Sequence, residues 1–562
     1  MVNGSPGDTR LLLGNEALAR GALEAGVGSV SAYPGTPSTE IGDTLREVAT
    51  EYDLYMEYAV NEKTALETAV AASRSGVRSM AVMKHVGLNV ASDTFMALAH
   101  SGVQTGLVLV VADDPSMWSS QNEQDSRNYA QFAKVPMIVP ATPAEAKEMV
   151  PYAYEVSEAV GAPVILRPTT RISHSRGPVT FSEVPERTTT GRFEPDLART
   201  VHIPAHGRQM KPALLERLEA AREELEGSPF TWTDEAEGSV GIVASGIAYN
   251  YVREALDWMD LEAPVLKLST PYPLPERRLE AFLADLDSVL VVEELDPIVE
   301  RDLRVLVQQS GIDVGVSGKL DDVMPMSFEL ATGRVAQHLA DFFDVEPPVD
   351  FDEIDAARAE AEEITIPRPP ELCPGCPHER VFTAMDAVFD DEETIYAGDI
   401  GCYTLGVNYD KIDIQFAMGA GTGFAAGFPH FTDQQVVATI GDSTFYHGGI
   451  PGLLNAIYND ADTTIVVLDN QVTAMTGHQP NPGTGWRATG EDAERIPIED
   501  IAEAAGADFV DVVVPYETES VEETLAEAAA TEGVSVVVAR APCVLFKQEH
   551  GERLAAIDKL EA

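Results

Sequence analysis

Short apolar runs punctuate the chain, and longer stretches with helical spacing separate them. VSAY (30–33), SMAVMK (79–84), LVLVVADD (107–114), SVGIVASG (239–246), SVLVVEEL (288–295), QVVATI (435–440) and TTIVVLDN (463–470) each span only four to eight residues. Runs of that length, bounded by glycine or polar residues, read as strands buried on both faces. Between them, NEALARGALEAG (15–26) and the stretch after Asn61 place apolar and small residues three and four apart, as one face of a helix requires. Strand and helix alternating in this way predict an α/β fold of parallel sheets.

At 562 residues the chain has room for several domains of about 150 residues each. The pattern predicts a doubly wound domain over 1–185 and a second one over 370–562. Residues 186–237 lose the periodicity apart from one charged helical stretch (213–227), and predict a linker or arm. A smaller α/β domain is expected over 238–344. Residues 345–369 are acidic and bounded by proline, which predicts another linker.

Polar residues cluster where predicted strands end, the place where parallel sheets bind ligands. QVVATI runs into Gly441-Asp442-Ser443, and TTIVVLDN ends on Asp469-Asn470. One carboxylate and one amide oxygen suit Mg²⁺, which keeps other positions for phosphate and water. Gly441 before a helix start suits an approaching anion. An αβ loop with an Asp cap is the plainer alternative. After VSAY, two prolines flank Thr36 in YPGTPS (33–38), holding a loop that presents the Thr36 hydroxyl or simply caps the next helix. Glu62 opens a helix, where a carboxylate also favours the dipole. Lys84 and His85 follow SMAVMK, where a ligand would sit, and His85 is a candidate for orienting a substrate or moving a proton near neutral pH. The polar segment 115–136 reads as an active-site or interface loop.

The four cysteines are Cys373 and Cys376 in CPGC, Cys402 in GDIGCYTLG and Cys543 in RAPCVLF. A CxxC in a chain of this class points to metal or redox work. A pair plus two distant singles fits one [4Fe–4S] cluster better than structural zinc. A simple CPGC turn with Cys543 as a small buried hydrophobe is the alternative.

Taken together, GDS followed by a helix, a strand and Asn resembles the diphosphate motif of thiamine-diphosphate enzymes. The resemblance makes Asp442, Asn470 and the Val472 carbonyl the Mg²⁺ ligands, with Gly441 and Ser443 beside the cofactor; Ser443 stands where the motif usually has Gly. YPGTPS, MKHVGLNVA, CPGCPHER, GDIGCYTLG, MGAGTGFAAG and AMTGHQPNPGTG together resemble the large (alpha) subunits of indolepyruvate ferredoxin oxidoreductases, in the 2-oxoacid:ferredoxin oxidoreductase superfamily. That resemblance implies two thiamine-diphosphate-binding-type domains with a transketolase C-terminal-like domain between them. It implies thiamine diphosphate, Mg²⁺ and one [4Fe–4S] cluster on Cys373, Cys376, Cys402 and Cys543. Glu62, nine residues before Ala71-Ala72-Ser73, is then the carboxylate that bonds the aminopyrimidine ring, and Thr36 and His85 meet the keto acid. His478, in a Gly/Pro-rich segment, covers the site. The implied reaction is oxidative decarboxylation of an aryl pyruvate, with coenzyme A taking the acyl group, ferredoxin the electrons and a small beta subunit as partner. Related subunits often carry a ferredoxin-like CxxCxxCxxxC domain at the C-terminus, which this sequence lacks, so electrons are expected to leave through the single cluster or a partner. A non-redox thiamine-diphosphate decarboxylase, another 2-oxo acid, and a non-catalytic scaffold remain as alternatives; Glu62, Asp442 and Asn470 together argue against the scaffold.

Composition adds one constraint. Asp and Glu total 92 against 38 Lys and Arg, a net charge of −54 spread along the chain. Such a surface excludes nucleic acid as a partner. No apolar run nears the ~18 residues of a membrane span and no signal-like start is present, so a cytoplasmic protein is expected. Like charge at this density repels itself, a property halophilic proteins carry. The unfolding midpoint is expected to rise between low and molar KCl as salt screens that repulsion; a midpoint independent of KCl would refute the halophilic reading.

Overall fold

Met80 and Val82 face one way from the strand Ser79–Lys84, Ala81 and Met83 face the other, and all four are buried. A strand packed on both faces has no polar side to show, which is why its sequence reads as one apolar run. The computed structural model describes residues 1–561, with side chains through residue 556, and separates into two compact units that divide between Thr365 and Ile366.

The first unit holds two open sheets. In the first, six parallel strands run in the spatial order Tyr55–Tyr58, Ser29–Ala32, Ser79–Lys84, Leu107–Ala112, Val164–Leu166, Met137–Ile138. The order reverses between Ser29–Ala32 and Ser79–Lys84, so the loops after these two strands diverge and leave a crevice at their carboxyl ends. Helices Gly14–Glu24 and Pro143–Val160 cover one face, and helices Glu62–Arg74 and His85–Ser101 cover the other. A short antiparallel pair, Thr9–Leu13 with Arg176–Thr180, packs on helices Gly14–Glu24 and Pro143–Val160.

The second sheet has five strands, in the order Gly315–Ser317, Ser288–Val292, Val240–Ser245, Val265–Leu268, Trp232–Asp234, with only the last antiparallel. Arg127 ties the two sheets. It is 1% exposed and lies in the polar segment after Leu107–Ala112. Its guanidinium donates to Asp125 (Nη2–Oδ2 2.6 Å), to the Glu293 carboxylate, and to the carbonyls of Glu294 and Asp296. Breaking one side of such a buried pair typically costs about 3–5 kcal/mol.

The second unit contains a five-stranded, all-parallel sheet in the order Thr394–Ala397, Gln435–Gly441, Thr463–Asp469, Val534–Arg540, Phe509–Val513. Helices Ala420–Gly427, Ile450–Tyr458 and Ile498–Ala505 pack on one face, and Pro377–Val388 and Thr518–Ala530 on the other.

The two expected linkers differ. In 186–237 the chain forms a long helix, Pro204–Glu226, whose Met210, Leu214, Leu218, Ala221 and Leu225 make a buried stripe; Leu214 and Leu225 join the cores of the first sheet. This arm is therefore packed, its stripe diluted in the sequence by surrounding charges. In 345–369 the helix Phe351–Ile364 has no buried residue. No helix among the described residues is long and apolar enough to cross a membrane.

Glu294, beside the Arg127 contact, is buried; its carboxylate accepts the Leu330 N–H at 3.0 and 3.1 Å. Burial pushes it from the ordinary 4.5 up to about 7, against the Leu330 N–H and the charges of Lys319 and Arg167. Between those two values the folded state holds the extra proton, so this group's contribution to stability is full below about pH 4.5 and is lost as pH rises through about 7. Glu294→Gln should remove that loss: Tm of the variant relative to wild type is expected to rise from pH 5 to pH 8, and a constant difference would show that Glu294 does not carry it.

Candidate active site

In the first unit the crevice at the switch point gathers the residues marked from the sequence. Thr36 is half-buried in the loop after Ser29–Ala32, before a cis Pro37. The loop is braced from within: Ser38 Oγ donates to the Gly35 carbonyl (2.8 Å) and Asn15 Nδ2 to the Pro37 carbonyl (2.7 Å). A Cβ on Gly35 would stand 2.9 Å from Cδ of Lys84, so the lysine stem lies directly against this loop. Glu62 is the first residue of helix Glu62–Arg74, capped by Asn61, and is 4% exposed. A Cβ on Gly87 would sit 2.6 Å from Glu62 Oε1, so only glycine lets the His85 turn come this close. Thr36, Glu62, Lys84 and His85 thus share one end of the sheet.

Lys84 is buried and donates to the Ser119 carbonyl at 3.0 Å. Burial lowers its pKa to about 8, while the charges of Asp114 and Glu62 work the other way. His85 is 1% exposed, and neither ring nitrogen has a hydrogen-bond partner among the described residues. Burial holds its pKa below the ordinary value, Asp113 opposes this and Lys84 adds to it; the Asn122 backbone is near without hydrogen-bonding geometry. A buried imidazole of this kind is neutral near pH 7. Segment 115–136 supplies Ser119 and Asn122 to this place, as its polarity suggested.

In the second unit, Gly441 pairs with Leu468, so Asp442 and Asp469 end neighbouring parallel strands. Asp469 is compensated: Arg540 Nε donates to its Oδ2 at 2.6 Å and Gln471 N–H to its Oδ1 at 3.0 Å. Among the described residues, Asp442 has only a neutral side-chain donor, Asn481 Nδ2 at 2.7 Å. Burial, and then Asp469, raise its pKa well above the usual carboxylate range. A buried carboxylate beside a second one, with no side-chain cation bonded to it among those residues, fits a divalent ion. Asn470 Oδ1 accepts the Val472 N–H (3.2 Å), and Thr473 Oγ1 donates to Ser443 Oγ (2.9 Å), so the turn after Asp469 is tied to the strand end that carries Asp442. Asn481 was not marked from the sequence; its only signal is a polar residue between two prolines in a Gly-rich segment.

The cysteines sit beside this turn. CPGC is a tight turn, with Cys376 N–H to the Cys373 carbonyl at 2.9 Å and the Tyr516 hydroxyl to the Gly375 carbonyl at 3.0 Å. Burial pushes Cys402 up to about 12, with Cys376, Cys543, Cys373 and Asp442 adding to it; Cys376 rises to about 11, again chiefly by burial. The other three thiols are thus within electrostatic range of Cys402, and all four are free of disulfides. Among the described residues no three His, Cys, Asp or Glu are grouped to hold a single metal ion. Four free cysteines brought to one region fit a larger group such as a four-iron cluster, which takes four thiolate ligands. Three contacts link the cysteine-bearing segments to Gly441 and Asn470. Cys543 N–H donates to the Asn470 carbonyl (3.1 Å), Asn470 Nδ2 lies 3.4 Å from His378 Nε2, and the Tyr403 ring lies against Gly441. His478 Nε2 is 3.6 Å from Cys543 Sγ, so it meets a cysteine where the sequence suggested a cover over the site.

Two family models match. Residues 20–216 fit the pyruvate flavodoxin/ferredoxin oxidoreductase thiamine diphosphate-binding family, and residues 399–539 fit the C-terminal TPP-binding domain of thiamine pyrophosphate enzymes. The indolepyruvate oxidoreductase subunit IorA of Thermococcus kodakarensis is 50% identical over 96% of this chain and 87% of its own length. The subunit of the same name from Archaeoglobus fulgidus is 46% identical over 97% and 88%. The chain belongs to the indolepyruvate oxidoreductase IorA family. A 2-oxoglutarate:ferredoxin oxidoreductase structure from Magnetococcus marinus is also similar, at 18% identity and TM-score 0.47 over 59% of this chain and 65% of that one. Membership in the IorA family makes the chain an oxidoreductase subunit with thiamine diphosphate-binding domains.

The Tyr403 contact is testable without cofactor. A Cβ on Gly441 would stand 2.3 Å from Tyr403 Cε1, and the ring cannot retreat easily because its hydroxyl bonds the Ile400 carbonyl and Thr444 Oγ1, each at 2.7 Å. Gly441→Ala should destabilise the protein by about 1–3 kcal/mol in urea unfolding. The cost should shrink in a Tyr403→Ala background; an undiminished cost would place the strain elsewhere.

Proposed function

We propose that this chain is the thiamine-diphosphate-carrying subunit of an enzyme that oxidatively decarboxylates aryl pyruvates, indolepyruvate among them, to aryl-acetyl-CoA. A small beta subunit and ferredoxin are its partners, and its place is the cytoplasm of an organism with high internal salt. What supports the redox reading is the packing of the cysteine-bearing segments on the diphosphate motif: the Cys543 N–H on the Asn470 carbonyl, His378 two residues after Cys376 beside the Asn470 amide, and Tyr403 next to Cys402 against Gly441. A decarboxylase without electron transfer has no need of cysteine-bearing segments packed on its diphosphate motif.

Asp442, Asn470 and the Val472 carbonyl would hold Mg²⁺, and Gly441 and Ser443 would lie beside the diphosphate. Cys373, Cys376, Cys402 and Cys543 would hold one [4Fe–4S] cluster. Bound thiamine diphosphate supplies an electron sink for the carbon that loses CO₂. Glu62, buried in the first unit, would hydrogen-bond the cofactor's aminopyrimidine ring. Thr36 and His85 orient the 2-oxo acid, and segment 115–136 keeps water away from them. The reaction balances as the 2-oxo acid anion plus coenzyme A giving acyl-CoA, CO₂, one proton and two electrons. The C–C bond to the carboxylate breaks, a C–S bond to coenzyme A forms, and ferredoxin takes the two electrons one at a time; a cluster held by the four cysteines would supply the one-electron chemistry for that transfer.

Anaerobic protein purified in high salt should contain about four irons and four acid-labile sulfides per chain, and Cys373→Ala should lose them. Glu62→Gln should retain iron and lose CO₂ release from aryl pyruvates by at least about 10²-fold. Zinc, or no metal beyond Mg²⁺, together with ferredoxin-independent CO₂ release would favour a non-redox decarboxylase instead.

A further inference from the structure

Lys84 has no assigned role in that chemistry, yet it differs from Lys267, Lys411 and Lys147; Lys319 also bonds a carbonyl, that of Leu295, but lies beside the charges of Glu293 and Glu294 in the second sheet. Lys267 is bonded to Glu145 at 2.6 Å and lies over the Trp232 ring at 4.0 Å. Lys411 reaches Asp386 and Asp391 at 2.5 and 2.8 Å, and Lys147 reaches Glu24 at 3.0 Å. Each of these has a carboxylate in direct contact. Among the described residues, Lys84 has a single hydrogen bond, to a neutral carbonyl, for three N–H donors. Asp114, whose charge it feels, accepts instead from the Thr170 and Ser120 hydroxyls and the Ser119 N–H. The next residue, His85, is buried with both ring nitrogens unpartnered among the described residues.

Buried donors left without acceptors are costly, and two adjacent ones in a crevice point to a ligand that supplies the acceptors. The stem of Lys84 lies against Gly35, the residue before Thr36, so the lysine and the Thr36 loop share the crevice. In a chain of net charge −54, a buried ammonium with donors to spare is where an anion is welcome. We propose that Lys84 recognises the carboxylate of the 2-oxo acid, giving it two charge-assisted hydrogen bonds, while His85 donates to the adjacent keto oxygen. The inference rests on the 2-oxo-acid reading above and names the residue that makes the subunit choose an acid over its neutral analogue.

The test uses the full complex of both subunits in molar KCl. Indole-3-propionate, which lacks the keto group and cannot react, is titrated calorimetrically against its neutral amide. Wild type should bind the acid at least tenfold more tightly than the amide. Lys84→Met should weaken the acid by about 100-fold and leave the amide unchanged, because it truncates one side of a buried charge pair. Lys84→Arg should restore part of the difference. In turnover, Lys84→Met should raise KM for indolepyruvate far more than it lowers kcat, with KM for coenzyme A and the affinity for Mg²⁺-thiamine diphosphate unchanged. That last affinity reports folding; should the methionine variant lose it, Lys84→Gln serves in its place with the same expectation. A folded Lys84→Met that binds the acid as wild type does, while wild type turns over indolepyruvate, overturns this inference alone. A wild-type complex that neither binds the acid nor consumes any 2-oxo acid overturns the functional reading and this inference with it.

Discussion

Asp442 and Asp469 end adjacent parallel strands, buried and alike in charge. Parallel pairing forces this proximity, because both strands carry their polar ends to the same edge. The surrounding structure meets the problem unequally. Arg540 neutralises Asp469 and is itself held by Glu499 at 2.5 and 2.8 Å, whereas Asp442 receives an amide. One carboxylate is therefore structural, and the other keeps an electrostatic demand that the fold does not meet. The core beneath, apolar on both faces of the sheet, holds the backbone still enough to keep that demand in place.

The first unit repeats the logic with opposite sign. There the unmet groups are donors, Lys84 and His85, and the element that positions them is the polar segment between Leu107–Ala112 and Met137–Ile138. That segment would be a loose loop by composition. Arg127 makes it rigid: the buried guanidinium joins Asp125 within the segment to Glu293 and the carbonyls beyond it, so Ser119 and Asn122 are held where they meet Lys84 and His85. Arginine suits this role because its planar fork bonds several acceptors at fixed angles.

The strands and the residues at their ends were legible in the sequence because both signals are local. A buried parallel strand is a short apolar run, and the polar residues just past its carboxyl end lie open to a ligand; YPGTPS, MKH, GDS and DN all read this way. The expected α/β class and the two doubly wound sheets rest on the same signal. The hidden features depend on distant partners. Nothing in GDIGCYTLG says that the Tyr403 ring fills the space a side chain at Gly441 would need, or that Lys84 is paired with a carbonyl 35 residues away. The arm 186–237 reads as loose because its buried stripe, Met210 to Leu225, is one face of a helix whose other faces are charged. Asn481 lay in a segment whose glycines and prolines say only that the chain turns.

The acidic surface has a kinetic side as well. An anionic substrate approaching a body of net charge −54 climbs a repulsive potential before it reaches any attractive group. At about 0.1 M salt that potential extends roughly 10 Å from the surface, and at about 1 M only some 3 Å. A single buried ammonium makes its attraction felt only once the ligand has come within that range. Encounter rate and capture are therefore set by different parts of the molecule: salt in the surrounding solution governs how often an acid arrives, and the crevice governs only whether it stays.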